Sequence, residues 1–539
     1  MPRGLVKLKT RIDSATMTRR ALKRLHEAAC IARAYPRSAA QLAEARRVLA
    51  GFHRRPDLKR HAEALADSGI SGTPIHYRFF WPMARWLAER YPALLTIDWT
   101  QDEFAGRLSA ALPLLVTQAE AEALRRRALP AEEAIEHLRA RGETDAVFLV
   151  RRLAALPGGD AVREATHDAL DIAYRLLGSA DGPSRTHAFF DGAPFACRNG
   201  PPDRSRPDLA TELGRPPRSV RALSTADGAR LVELARSAMV TRSRDLDAFA
   251  HGDARDVRLV DDGDGLAFVL IGVPPERRLF LPAVYGALTL RNGVPIGYVQ
   301  FDVLFRSAEV SYNTFETFRG GEAGFVFCRL LAACRHVFGV TSFSIEPYQL
   351  GAGNEEGILS GAWWFYARFG FRPKNRKVLR LARAELAKRE RDPGYRSNRA
   401  VLLRLAAAHM FWPGDAKHST VVTPQAAIGF ALARRLAERA GGDREAAVRA
   451  CEQRAARRFG VASTRSFTTG ERLWWKRWAP LLDALPGVHR WSAAERRTTV
   501  TVVRAKGGRR ESEYARLFDA HPRLAAAVLS IGSASSRMR

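Results

Sequence analysis

Residues 308–347, AEVSYNTFETFRGGEAGFVFCRLLAACRHVFGVTSFSIEP, carry three elements in a row. Glu309, Ser311 and Asn313 alternate with Val310, Tyr312 and Thr314, the period of two expected of a strand with one polar face. Phe327, Leu330, Leu331, Cys334 and Phe338 then recur at helical spacing, and Gly339 stands where a helix end favours a residue at positive φ. "TSFSIEP" follows as a second strand. Between the first strand and the helix lie Arg319, Gly320, Gly321, Glu322, Ala323 and Gly324. Small residues there leave the first unpaired amides of the helix open, and those amides with the helix dipole suit an anion such as a pyrophosphate. A tight turn that binds nothing is the plainer reading of the same residues.

Upstream, "DVRLVDDGDGLAFVLIGV" reads as a hairpin about Asp262 to Gly265, and "AVYGALTLRNGVPIGYVQFDVLF" as a second around Asn292-Gly293. Downstream, "GAWWFYARFG" is a short aromatic helix closed by Gly370, and "FRP" turns back as another strand. Residues 1–185 are rich in Ala, Leu, Arg and Glu at helical spacing and predict a helical domain. Its aromatic cluster Phe79, Phe80, Trp81 and Trp86 is expected to be core. Residues 186–220 are crowded with Pro, Gly and Arg and predict a linker or ordered arm. A mixed domain is expected over 221–380, a second helical domain over 381–531, and a disordered tail over 532–539. The fold class is therefore α/β (α+β): a mixed, mostly antiparallel sheet with flanking helices, between N-terminal and C-terminal all-α domains.

Hydrophobic residues make up 46% and charged residues 27%, the mix of folded domains and not of a disordered chain. Lys and Arg number 86 against 57 Asp and Glu, a net charge of +29 that attracts phosphates, acidic proteins or anionic surfaces without naming one. The cations are mostly Arg, run from Arg3 to Arg539, and accompany abundant Ala, so coding bias explains much of the excess. The 5 cysteines form no C-x-x-C pair, which argues against a disulfide scaffold or zinc site, and the histidines have no ligand spacing, so no metal is indicated. The N-terminus lacks the apolar core of a signal peptide, and no apolar run approaches the ~20 residues of a membrane span. A cytoplasmic protein is expected. No H-E-x-x-H, G-x-S-x-G, Walker A loop or complete G-x-G-x-x-G occurs.

Antiparallel strands, a glycine-rich turn and helix, a strand, then an aromatic helix ending in "FYARFGFRP" resemble the core of the GCN5-related N-acetyltransferase (GNAT) superfamily over residues 221–377. Ala362, Tyr366, Gly370 and Phe371 match the family's A-x-x-x-Y-x-x-x-G-F pattern, so Tyr366 is similar to the tyrosine that protonates the departing thiolate. The family's R/Q-x-x-G-x-G/A loop, which cradles the coenzyme A pyrophosphate, is met in two partial registers. Arg319 as the leading residue puts Glu322 at a glycine position, whereas Phe318 as the leading residue places Gly321 and Ala323 correctly. The family's Asn near Leu359 is absent; Asn354 in the preceding insert could stand in for it, but a helix cap is its expected role.

The resemblance implies an acyltransferase, an N-acetyltransferase in the first instance, that moves an acyl group from acetyl-CoA or another acyl-CoA directly to an amine acceptor. It implies that Asn313, Thr314, Phe318, Arg319, Gly320, Gly321, Ala323 and Gly324 hold the coenzyme, with strand amides from Asn313 onward along the pantetheine arm. Tyr366 would be the acid, and Glu309 on the polar strand face or Glu346 at the end of the next strand the base that deprotonates the amine. Plainer roles for these three are aromatic packing, a solvent-facing strand carboxylate and a turn carboxylate. Two other functions fit the same chain: a GNAT-like transferase using aminoacyl-tRNA, which the +29 charge suits, and a non-enzymatic nucleic-acid-binding or scaffold protein on a degenerate core.

Overall fold

The computed structural model describes residues 17–198, 200, 207–320, 322–412 and 424–536. Over these it is a mixed α/β protein, 55% helix, with a nine-strand, mostly antiparallel sheet, a small three-strand sheet and helical regions at both ends. The chain divides into two compact units: Met1–Pro201 with Arg230–His251 and Leu290–Ile296, and Pro202–Ala229 with Gly252–Thr289 and Gly297–Arg539.

The first unit is mostly helical because its apolar residues recur at 3.6-residue spacing between polar caps. Thr18, Ser38 and Thr144 each accept a hydrogen bond from an amide in the first turn of the helices Arg19–Ala34, Ala39–Ala50 and Asp145–Ala154. It is not all-α. Strands β1 (Ile75–Tyr77), β2 (Leu95–Ile97) and β3 (Tyr174–Leu176) form an antiparallel sheet in the order β1-β3-β2. Three residues per strand are too few to display a period of two, so helical composition around them hides the sheet. Phe79, Trp81 and Trp86 are core as expected, but Phe80 is 42% exposed. The arm that begins at residue 186 is ordered at its start, where Arg33 donates to the carbonyls of Arg185, Thr186 and Ala188, and Ala188 and Phe190 are buried.

In the second unit, the expected linker contains the helix Leu209–Gly214 and the edge strand β4 (Ser219–Ala222). Next come β5 (Val257–Gly263), β6 (Leu266–Gly272), β7 (Ala283–Arg291), β8 (Val294–Leu304), β9 (Ser307–Thr314), β10 (Ser342–Ile345), β11 (Arg372–Pro373) and β12 (Met410–Trp412), of which the β7–β8 hairpin end, Leu290–Ile296, belongs to the first unit. Their order in the sheet is β11-β12-β10-β9-β8-β7-β6-β5-β4. The two hairpins read from the sequence form as two-residue turns with both central residues at positive φ, Asp264-Gly265 (51° and 77°) and Asn292-Gly293 (48° and 78°). A third such turn, Phe305-Arg306 at 54° and 53°, joins β8 to β9 without either residue favouring it. Tertiary contacts hold it: Phe305 packs edge-on against Phe518, and the Arg306 amide donates to Asp519.

The helix α1 (Ala323–Phe338) covers the apolar face of this sheet, with Phe338 against Tyr285 and Phe301, and Phe327 against Tyr312. Gly339 ends it in the left-handed region at φ 75°. Arg329 on α1, 1% exposed, grips the β5 end through two bonds to Asp262 at 2.7 and 2.8 Å, and the carbonyls of Glu212 and Arg215 at 2.8 and 2.9 Å. Two short helices, α2 (Glu355–Ser360) and α3 (Ala362–Arg368), precede β11, and α4 (Arg376–Arg391) follows it.

The C-terminal region is also not all-α, since β12 inserts between β10 and β11, pairing antiparallel with both. Its helices Thr469–Ala484, Ala493–Lys506 and Glu511–Ala520 clamp the segment between β6 and β7. The Lys506 ammonium, fully buried, bonds Glu511 and the carbonyls of Leu281 and Pro282, while Trp474 and Trp478 donate to the carbonyls of Pro275 and Phe280. The last helix, Leu524–Ser536, extends into the expected tail, and residues 537–539 lie outside the described residues.

Candidate functional site

Parallel pairing of β9 with β10 runs only from Ser307↔Ser342 to Glu309↔Ser344, whereas β9 continues to Thr314 on its β8 side. Among the described residues no strand pairs the β10-side edge of β9 beyond Glu309, so the sheet opens there. The end of β9 lines a pocket that faces the start of α1. Tyr312, Asn313 and Thr314 form one wall, and Arg319, Gly320 and Ala323 a second. Gln349, Asn354, Glu356, Gly357 and Ser360 close a third side, with Ala362, Phe365 and Tyr366 of α3 as the floor.

Several local features explain these positions. The chain leaves β9 through a single turn of 3-10 helix, Glu316–Phe318, anchored by the buried Phe318. Gly320 then adopts φ 80°, which turns the backbone toward α1 without a Cβ penalty. Glu322 occupies the N-cap position of α1 and supplies no side-chain cap. Its side chain is buried and absent from the pocket lining. Thr314 donates to the Tyr312 hydroxyl at 2.9 Å, and that hydroxyl donates to the Ala323 carbonyl, tying strand end to helix start.

Three polar groups set the electrostatics. The Asn313 Oδ1 is buried with no hydrogen-bond partner, an acceptor left open beside the pocket. Arg319 donates to the Thr314 carbonyl at 3.0 Å and pairs with the Glu356 carboxylate, so the pocket's cation is neutralised by an acid the sequence did not single out. Tyr366 is 3% exposed and packs edge-on against Phe327, Phe365 and Phe371. Burial, and then the neighbouring Tyr312, raise its pKa, so the phenol stays protonated and is a weaker acid than a free tyrosine.

Of the expected coenzyme residues, Asn313, Thr314, Arg319, Gly320 and Ala323 line this pocket with Tyr366. Phe318 is an anchor behind it, Gly324 abuts Phe369 where a Cβ would meet the ring at 3.0 Å, and Gly321 lies outside the described residues. Asn354 lines the pocket and also caps α2 by accepting from the Gly357 amide at 3.1 Å.

The two expected bases stand elsewhere. Glu309 lies on the polar face of β8 and β9, paired with His409 at 3.4 Å and opposite Asp302 in the strand register. Burial and then Glu309 raise the Glu346 pKa, and burial with the facing carboxylates pushes Asp302 up to about 7. Glu309, Glu346, Asp302 and His409 thus form an electrostatically coupled group outside the pocket lining. His409 is invisible in the sequence as a partner, because 100 residues separate it from Glu309 and only the insertion of β12 brings it there.

Among the described residues no group of His, Cys, Asp or Glu could hold a metal ion, and no helix is long and apolar enough to cross a membrane. No family model, curated protein or solved structure matches the chain.

Proposed function

We propose that the protein is an acyl-CoA-dependent N-acyltransferase with a GNAT-like core, and that the pocket between β9, α1 and α3 takes the diphosphate and the thioester arm of the coenzyme. One observation carries this reading: the strand end freed of its β10 partner, the uncapped start of α1 and the protonated Tyr366 phenol line a single pocket. Amides at a helix start suit a diphosphate, and an unpaired strand edge suits the amide groups of a pantetheine arm. The bound coenzyme supplies an activated acyl carbon on sulfur.

In the reaction the acceptor nitrogen forms a bond to that carbon and the carbon–sulfur bond breaks. Tyr366 gives its proton to the sulfur, and the carboxylate group of Glu309 and Glu346, with His409, takes the proton from the amine. Glu309 precedes Asn313 by four positions, about 13 Å along an extended strand, so diphosphate and acceptor amine occupy different stretches of β9.

Calorimetric titration with acetyl-CoA and with free coenzyme A tests the binding, and an amine-acceptor screen tests the transfer. Tyr366→Phe should lower turnover about a hundredfold or more while the coenzyme Kd stays within about twofold, whereas Ala323→Leu should weaken the Kd. The Arg319–Glu356 pair supports a second reading, a degenerate core closed by its own carboxylate. Absence of any coenzyme heat would select that reading and remove the first.

A further inference from the structure

The helix α4 presents an unusual surface. Its sequence RKVLRLARAELAKRER carries seven cations and two carboxylates over 16 residues. Val378, Ala382 and Glu385 are buried, which turns Arg376, Lys377, Arg380, Arg383, Lys388 and Arg391 to solvent. Among the described residues, Arg376, Lys377, Arg380, Arg383 and Arg391 have no carboxylate within ion-pair distance. Of the two carboxylates, Glu385 is turned inward and bonded to Lys388, Tyr395 and Ser397, leaving Glu390 as the one acid on the exposed side. Some exposed arginines elsewhere are neutralised within a turn, as in Arg47 with Glu44 and Arg139 with Glu136.

We propose that this face of α4 docks the sugar-phosphate backbone of a nucleic acid. Arg376, Arg380 and Arg383 follow one another at i, i+4 and i+7 and so point the same way, and the helix is about 24 Å long, enough to span several consecutive phosphates. Guanidinium groups engage phosphate oxygens in pairs. A membrane surface would demand an apolar wedge beside the charges, but the apolar side of α4 is turned into the protein. A folded acidic protein would demand an aromatic or aliphatic anchor, and the one uncharged exposed position within the stripe is Ala384. This docking surface stands independently of the acyltransferase reading.

The test uses the full chain and fluorescence anisotropy with two labelled probes, a short single-stranded RNA and a short DNA duplex, over a series of potassium chloride concentrations. The expected result is retention of at least one probe with a steep salt dependence; the stronger arm identifies the source of the phosphates. In the triple variant Arg376→Ala, Arg380→Ala, Arg383→Ala, affinity should drop about tenfold or more and the slope of log K against log salt should shrink by about two. Alanine is the best helix former, so the variant keeps α4, which circular dichroism checks. A charge-matched control, Arg125→Ala, Arg126→Ala, Arg127→Ala on another exposed helix end, should change affinity less than about twofold. No retention of either probe at low salt, an equal loss in the control, or binding confined to phosphatidylserine vesicles would overturn the proposal.

Discussion

Replacing Asp302 by Asn should flatten the pH dependence of stability between about pH 4 and pH 7. In the folded protein this carboxyl faces Glu309 across the β8–β9 pair and accepts from Gln300 at 3.1 Å; burial and then the repulsion of Glu309, Glu346 and Glu511 push it up to about 7 from 3.8. A raised carboxyl means that the native state holds this proton over a range in which the unfolded chain has released it. Its stabilising contribution is therefore complete below pH 3.8 and declines as pH rises through 7. A shift of roughly three units at 1.36 kcal/mol each sets an upper limit of roughly 4 kcal/mol over the whole titration, of which roughly 2.7 falls above pH 5, and partial hydration of the face lowers the figure expected between pH 5 and pH 8 to about 1. Asparagine keeps the shape and the bond to Gln300 but has no proton to lose. Urea unfolding of both proteins at pH 5 and pH 8 is the assay, and the difference between them cancels the other titrating groups. Wild type should lose about 1 kcal/mol more than Asp302→Asn between the two conditions. Parallel stability curves would refute the reasoning, since they would mean that Asp302 ionises normally in the native sheet.

Arg329→Ala should cost about 3–5 kcal/mol in urea unfolding, because it strands the 1%-exposed Asp262 carboxylate, whereas Arg329→Met combined with Asp262→Leu should cost less than the single change. At the Phe305-Arg306 turn, Arg306→Val should be about 1–2 kcal/mol less stable than Arg306→Gly, as a β-branched side chain opposes φ 53°; equal unfolding midpoints would show that the turn relaxes. Glu356→Gln should tighten coenzyme A binding about two- to fivefold by releasing Arg319 to the anion, a modest gain because the pair is two-fifths exposed; unchanged calorimetric affinity would place the diphosphate away from Arg319.

Local chemistry made part of this molecule legible. Asp264-Gly265 and Asn292-Gly293 adopt the positive φ that a two-residue hairpin demands, Gly339 and Gly370 end their helices in the left-handed region, and the alternation from Glu309 to Thr314 puts a strand there. These depend on a few consecutive residues, so reading along the chain suffices. One side of the pocket lining was legible because Asn313, Thr314, Arg319, Gly320 and Ala323 occupy one strand–turn–helix passage, whereas Gln349, Glu356, Gly357 and Ser360 were not foreseen.

Tertiary structure alone decided the rest. The strands β1, β2, β3 and β12 are three residues long and owe their existence to partners far away in the chain. The Phe305-Arg306 turn opposes its own backbone preferences and is held by Phe518 and Asp519. Arg319 meets Glu356, and Glu309 meets His409, only after the sheet has been assembled. Sequence determines the conformations that cost little locally; contacts between distant segments decide where a locally unfavourable turn survives and which charges end up facing one another, because those energies arise only when burial removes water from between them.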